Sequence, residues 1–257
     1  MLKRPALNEP RPQEAVKKGD DHVVKLALVL SGGGMFGAWQ AGAWRALADR
    51  MQPDLIVGAS VGSLNGYAIS GGATPQELCD FWMQPDVGSL ARLPDTIRAL
   101  MGRYSPSTEY AVVLTDLLRL KPRIFSGSEI SWRHLAASCA IPGVLRQYRI
   151  NGRWYSDGGL LNPLPVYAAV ELGATHIVAF HPLWPQTAFI QPAVRGFVRI
   201  FGHHPPLPTG VDLVTIRTEP LGSLHDALHW RRENIERWIE AGYKAARNIS
   251  LPICSKG

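Results

Sequence analysis

A short apolar run, His22–Leu30 (HVVKLALVL), ends in a serine and three glycines, and Met35–Asp49 then carries helix-forming Ala, Leu, Trp and Arg. A buried strand turning this tightly into a helix commits the chain to crossover packing, because both faces of such a strand need cover. The unit recurs. Asp54–Val57 is a second strand leading into a helix of small residues at Val61–Ser70, and a helix at Pro163–Leu172 precedes a strand at Thr175–Phe180 (THIVAF). Alternation of this kind predicts an α/β fold with a mainly parallel sheet covered on both faces. Further helices are expected near Pro75–Met83, Glu109–Leu120 and Glu129–Cys139. Arg146–Ile150 and Arg153–Tyr155 straddle Asn151-Gly152, a type I′ hairpin signal. Val211–Arg217 reads as a strand. Leu224–Asn248 reads as one long helix with Leu224, Leu228, Ile235, Trp238 and Ile239 near one face, packing on the domain.

The 257 residues, 46% hydrophobic and 19% charged, are enough for one large core, expected over 23–257. Residues 1–22 are polar, lack an apolar centre and read as a loose tail rather than a secretory signal. Six prolines crowd Pro182–Gly210, which suggests an insertion or lid near 182–210. No run of apolar residues is long enough to span a bilayer. Cys79, Cys139 and Cys254 lie far apart with no metal-ligand spacing, which favours free thiols in a reducing cytoplasm and gives no reason to expect a metal or cofactor. The net charge of +6 suits an anionic membrane, nucleic acid or simply a mildly basic surface, and the absence of a block of like charges argues against a nucleic-acid tail. Val194, Phe197, Val198 and Phe201 recur at helical spacing beside Arg195 and Arg199, so 193–202 is a candidate for peripheral contact at the inner face of a membrane. A lid packed on its own core would show the same periodicity.

Three strings carry chemistry. The first, Gly32-Gly33-Gly34-Met35-Phe36-Gly37, suits a dinucleotide pyrophosphate, an oxyanion or a bare tight turn. A dinucleotide site also wants an acid at the end of the second strand, whereas Asp54 stands at its beginning. The second, Gly58-Ala59-Ser60-Val61-Gly62, lies between strand and helix, the context of a nucleophile elbow. Its small residues would equally serve close helix packing. The third, Asp157-Gly158-Gly159, follows a strand, and its glycines allow a sharp reversal that aims a carboxylate inward, although Asp-Gly is also a common turn. A serine needs a base. His176, His181, His203, His204, His225 and His229 lie downstream, none of them in a string that specifies a catalytic histidine.

Taken in order, with Ala136–Gly143 (AASCAIPG) and Asp157–Pro165 (DGGLLNPLP), these strings resemble the patatin-like phospholipase family from about Lys25 to His181. The resemblance implies a three-layer α/β/α sandwich and a lipid acyl hydrolase of phospholipase A or lysophospholipase type. It implies Ser60 as nucleophile, Asp157 as its partner without a catalytic histidine, and an oxyanion hole from the amides around Gly33, Gly34 and Met35. Gly32, Gly37, Gly58, Gly62, Gly158 and Gly159 fall on the motif glycines. Phe36 stands where the family usually has Arg or Lys, and Ala59 and Val61 also depart from the usual residues. A Ser-His-Asp esterase on non-lipid esters and an inactive lipid-binding relative remain as alternatives.

Overall fold

The computed structural model describes residues 24–182 and 205–251. Its centre is an eight-stranded sheet in the order β5-β6-β3-β2-β1-β7-β8, with β4 on the far side of β3. The strands are β1 (Leu26–Leu30), β2 (Leu55–Ala59), β3 (Glu109–Asp116), β4 (Lys121–Ser126), β5 (Tyr148–Ile150), β6 (Arg153–Ser156), β7 (His176–His181) and β8 (Asp212–Arg217). The five strands β3, β2, β1, β7 and β8 are mutually parallel, whereas β4, β5 and β6 make antiparallel pairs at one end. The central strands β1 and β2 are apolar throughout because both of their faces are covered.

One face carries α1 (Gly37–Leu47), α2 (Val61–Ser70), α3 (Pro75–Met83), α4 (Leu93–Arg103) and α5 (Trp132–Ser138). The other is covered by α6 (Val166–Glu171), with Tyr167, Ala168 and Ala169 against Ala27, Val29, Val57 and Val113. A short helix, α7 (Leu224–Leu228), and a long one, α8 (Arg232–Ala246), return to the first face, where Ile235, Trp238 and Ile239 are buried with α1. The expected three-layer α/β/α arrangement with a mainly parallel sheet is therefore present.

Several local expectations are corrected. Glu109–Leu120 is not a helix but strand β3 and the start of a turn, with every residue from Tyr110 to Asp116 buried. A continuous apolar segment of that length does not distinguish a strand buried on both faces from a buried helix, and its β-branched Val112, Val113 and Thr115 tip it toward the strand. The single helix expected over Leu224–Asn248 is two. Ser223 caps α7 through Asp226, and the extended residue Arg231 starts α8 afresh. Glu129–Cys139 is helical only from Trp132 to Ser138, after a separate tight turn at Gly127–Glu129. The helix α4 and the edge strand β4 had no counterpart in the sequence reading. The Asn151-Gly152 hairpin is as expected, with φ of 49° and 80°, both positive as a type I′ turn requires. Cys79 and Cys139 are free and buried. Cys254, most of the suggested insertion, and the segment 193–202 lie outside the described residues.

Candidate active site

The two ends of β3 hold different neighbours on one edge. β2 pairs with it as far as Ala59↔Val113, and β6 pairs with it from Thr115↔Ser156 onward. One step past β2 is Ser60, one step past β6 is Asp157, and both fall at the level of Leu114. Two chains that run toward each other along one strand edge thus meet at their ends. Ser60 Oγ donates to Asp157 Oδ2 at 2.7 Å, across 97 residues of sequence.

Ser60 has φ 52° and ψ −132°, a backbone conformation rare for a residue with a side chain. The surrounding contacts impose it. Its N–H donates to Ser138 Oγ at 2.9 Å, and its carbonyl accepts from Ser63 N–H and from Ser63 Oγ. At Gly62 a Cβ would lie 2.4 Å from the Leu30 carbonyl oxygen, so α2 passes over β1 only because that position is glycine. Gly58 is equally tight against the Gly62 carbonyl.

Asp157 is held just as firmly. Its N–H donates to the Ala140 carbonyl, its carbonyl accepts from Thr115 Oγ1, and Gly159 N–H donates to its Oδ1 at 2.7 Å. Burial raises its carboxyl to about 6, against the hydrogen bonds from Ser60 and Gly159, which act in the opposite direction. Ser138 links the two sides of the site. Its hydroxyl receives Ser60 N–H and donates to Val113, while its carbonyl receives Gly158 N–H.

The glycine loop lies against the same pair. A Cβ at Gly32 would sit 3.8 Å from Ser60 Oγ, and Gly32 N–H donates to Pro163 of the Asp157–Pro165 segment. The following amides, those of Gly33, Gly34 and Met35, find no acceptor among the described residues. Gly34 has φ 55°, and a Cβ there would strike the Ala227 carbonyl at 2.1 Å. Behind the loop, Gln40 donates to the Ser31 carbonyl, Asn65 bridges Gln40 and the Gly37 carbonyl, and Trp82 Nε1 donates to Asn65. Phe36 is wholly buried and packs edge-on against Trp238 at 4.9 Å. It is a core residue, and Gly37 is closed off by the Trp82 ring.

The expected site residues thus converge, with Gly158 and Gly159 on the reversal after Asp157. Among the described residues His176, His181, His225 and His229 make no hydrogen bond to the pair, and His203 and His204 lie outside the described residues. His176 begins β7, level with the first residue of β1 and so at the end of the parallel strands opposite Ser60, and contacts Asp212 at 3.3 Å. His181 ends β7, its imidazole pushed down to about 4 by burial, and His225 stacks on His229 at 3.9 Å. Among the described residues no histidine hydrogen-bonds to Ser60, and no cluster of metal-ligating side chains occurs. Ser138, Thr115 and the Gln40–Asn65–Trp82 chain escaped the sequence reading. Ser138 lies inside the AASCAIPG string, which was the one available signal for it.

The model of a family described as "Patatin-like phospholipase" matches residues 28–131 and 98–170. An uncharacterized NTE family protein of Mycobacterium tuberculosis is 27% identical over 174 residues, covering 60% of this chain and 48% of the relative. Patatin-like phospholipase domain-containing protein 7 of Rattus norvegicus is 25% identical over 179 residues, covering 60% of this chain and 13% of the relative. The chain therefore matches about half or less of the length of these relatives. The crystal structure of VipD from Legionella pneumophila shares the fold, with a TM-score of 0.52 at 12% identity over 87% of this chain and 66% of VipD. Matched over 28–170 of its 257 residues, the chain belongs to the patatin-like phospholipase family.

Proposed function

We propose that this protein is a serine acyl hydrolase that cleaves carboxylic esters of lipids through a Ser60–Asp157 dyad. The observation that carries this reading is the 2.7 Å hydrogen bond from Ser60 Oγ to a buried carboxylate, made from a strained elbow. Family membership supports the lipid ester as substrate class. In the first step Ser60 Oγ attacks the ester carbonyl and its proton passes to Asp157 Oδ2. The amides of Gly33, Gly34 and Met35 receive the developing oxyanion, at no cost in broken hydrogen bonds. Collapse of the tetrahedral intermediate expels the alcohol, which takes the proton from Asp157. Water then attacks the acyl-serine, giving its proton to Asp157, and the carboxylic acid leaves as Ser60 is restored. An aspartate is a weak base in water, and burial of Asp157 brings its basicity closer to the working pH.

The test is turnover of p-nitrophenyl esters together with fluorophosphonate labelling. Wild type is expected to turn over and to carry the label on Ser60. Ser60→Ala should lose both while keeping its circular dichroism spectrum. Turnover by Ser60→Ala at the wild-type rate would sink the reading, and loss of turnover on replacing His181 alone would favour a Ser-His-Asp esterase.

A further inference from the structure

Ser60 and Asp157 lie at the carboxyl-terminal edge of the parallel strands, and four large apolar side chains are exposed on the loops and on strand β6 around that edge. Leu118 is 88% exposed, Leu224 75%, Trp154 49% and Val144 46%. Leu118 is in the turn after β3. Trp154 is beside it on β6, its carbonyl receiving Leu117 N–H at 3.0 Å. Val144 is on the connection from α5 to β5. Leu224 opens α7, whose Ala227 carbonyl abuts Gly34 of the glycine loop. Continuing the β3–β6 register sets Leu118 level with Arg153, four positions beyond the level of Leu114. At the usual strand rise that is about 13 Å above the catalytic pair. Leu118 therefore stands above the site rather than filling it.

Charge on the same loops has one dominant sign. Arg119, Arg146, Arg149 and Arg153 are exposed among these tips. Of the nearby acids, Asp116 is buried 3.7 Å from Arg153, Asp226 caps α7 through Ser223, and Glu219 is exposed. Arg146 also lines a surface cavity of about 360 Å³ with Arg98 and Trp132. Single Leu, Val and Trp tips interleaved with arginines match an anionic lipid interface: the apolar groups enter the acyl boundary and the guanidinium groups meet phosphates. We infer that this rim, formed by Leu118, Val144, Trp154 and Leu224 with Arg119, Arg146, Arg149 and Arg153, docks the protein on an anionic bilayer with the Ser60 site facing the lipid esters. The inference rests on the lipid-ester reading for its orientation, not for the binding itself.

The experiment is flotation of the full-length protein with phosphatidylcholine vesicles, with and without phosphatidylglycerol. Wild type should float only with phosphatidylglycerol and be released by salt. Leu118→Ser combined with Trp154→Ser should lower vesicle affinity at least about tenfold, equivalent to 1.4 kcal/mol. Arg119→Glu combined with Arg149→Glu should do the same. Both variants should keep the wild-type thermal midpoint and turnover of a soluble p-nitrophenyl ester. Wild type that stays unbound, or variants that float as well as wild type, overturn the inference. So does a wild-type dimer that either variant converts to monomer with vesicle binding unchanged. Ser60→Ala should still float. An inert Ser60 on a protein that floats removes the hydrolase reading alone, and turnover by a protein that never floats removes the docking alone.

Discussion

In the proposed mechanism Asp157 must be both buried and ionised, and these demands oppose each other. With its carboxyl lifted from 3.8 to about 6, the base form is lost as pH falls through 6. kcat/KM on a soluble ester should therefore fall about tenfold per pH unit below that point, whereas an ordinary aspartate would sustain activity down to about pH 4. The stability consequence has the opposite sign. Between about pH 4 and 6 the native state keeps a proton that the unfolded chain has released. The stability associated with the neutral carboxyl is thus complete below about pH 4 and is lost as pH rises through 6. Asp157→Asn, neutral at every pH, should exceed wild type at pH 8 by up to about 3 kcal/mol in urea unfolding, with the difference vanishing near pH 4. A variant less stable than wild type at pH 8 would mean that its hydrogen bonds outweigh the burial of charge.

Between elements, α1 and α8 meet backbone to backbone at two glycines. A Cβ at Gly42 would lie 1.8 Å from the Ile239 carbonyl oxygen, and one at Gly242 would lie 1.9 Å from that of Trp39. Backbone cannot yield as a side-chain tip can, so Gly242→Ala should destabilise by about 1–3 kcal/mol or more. Gly102 in α4 has nothing within 4 Å of a Cβ, and Gly102→Ala should stabilise by about 0.5–1 kcal/mol. Thermal midpoints moving in opposite directions would check both. Such pairs also mark where the sequence stops being legible. The elbow and glycine loop could be read because their constraint is local: one strand, one turn, one helix. Nothing near Gly242 announces that Trp39, two hundred positions earlier, will touch it. The β3 segment reads as helix because burial on both faces erases the alternation that would identify a strand. Ser138 was read only as part of a string, since half of its work is done by a backbone carbonyl, which no residue type signals.

For the molecule as a whole, the site belongs to no single element. The glycine loop follows β1, Ser60 follows β2, Ser138 ends α5 and Asp157 follows β6, so the dyad exists only when β3 holds β2 and β6 on one edge in register. The support is shared with the core. Trp238 packs on Phe36, and Trp82 both closes against Gly37 and donates to Asn65. Tryptophan fluorescence therefore reports on the same structure that shapes the loop. Fluorophosphonate labelling of Ser60 and tryptophan fluorescence should be lost over one coincident urea transition, as expected when a site can open only by global unfolding. Labelling lost at lower urea, with fluorescence intact, would show the β6 side detaching first, because that side is held to β3 by two residue pairs against the five that join β2. The bonds that Ser138 and Ala140 make to the Asp157 loop act against such early release, since they tie it to α5 as well as to the sheet.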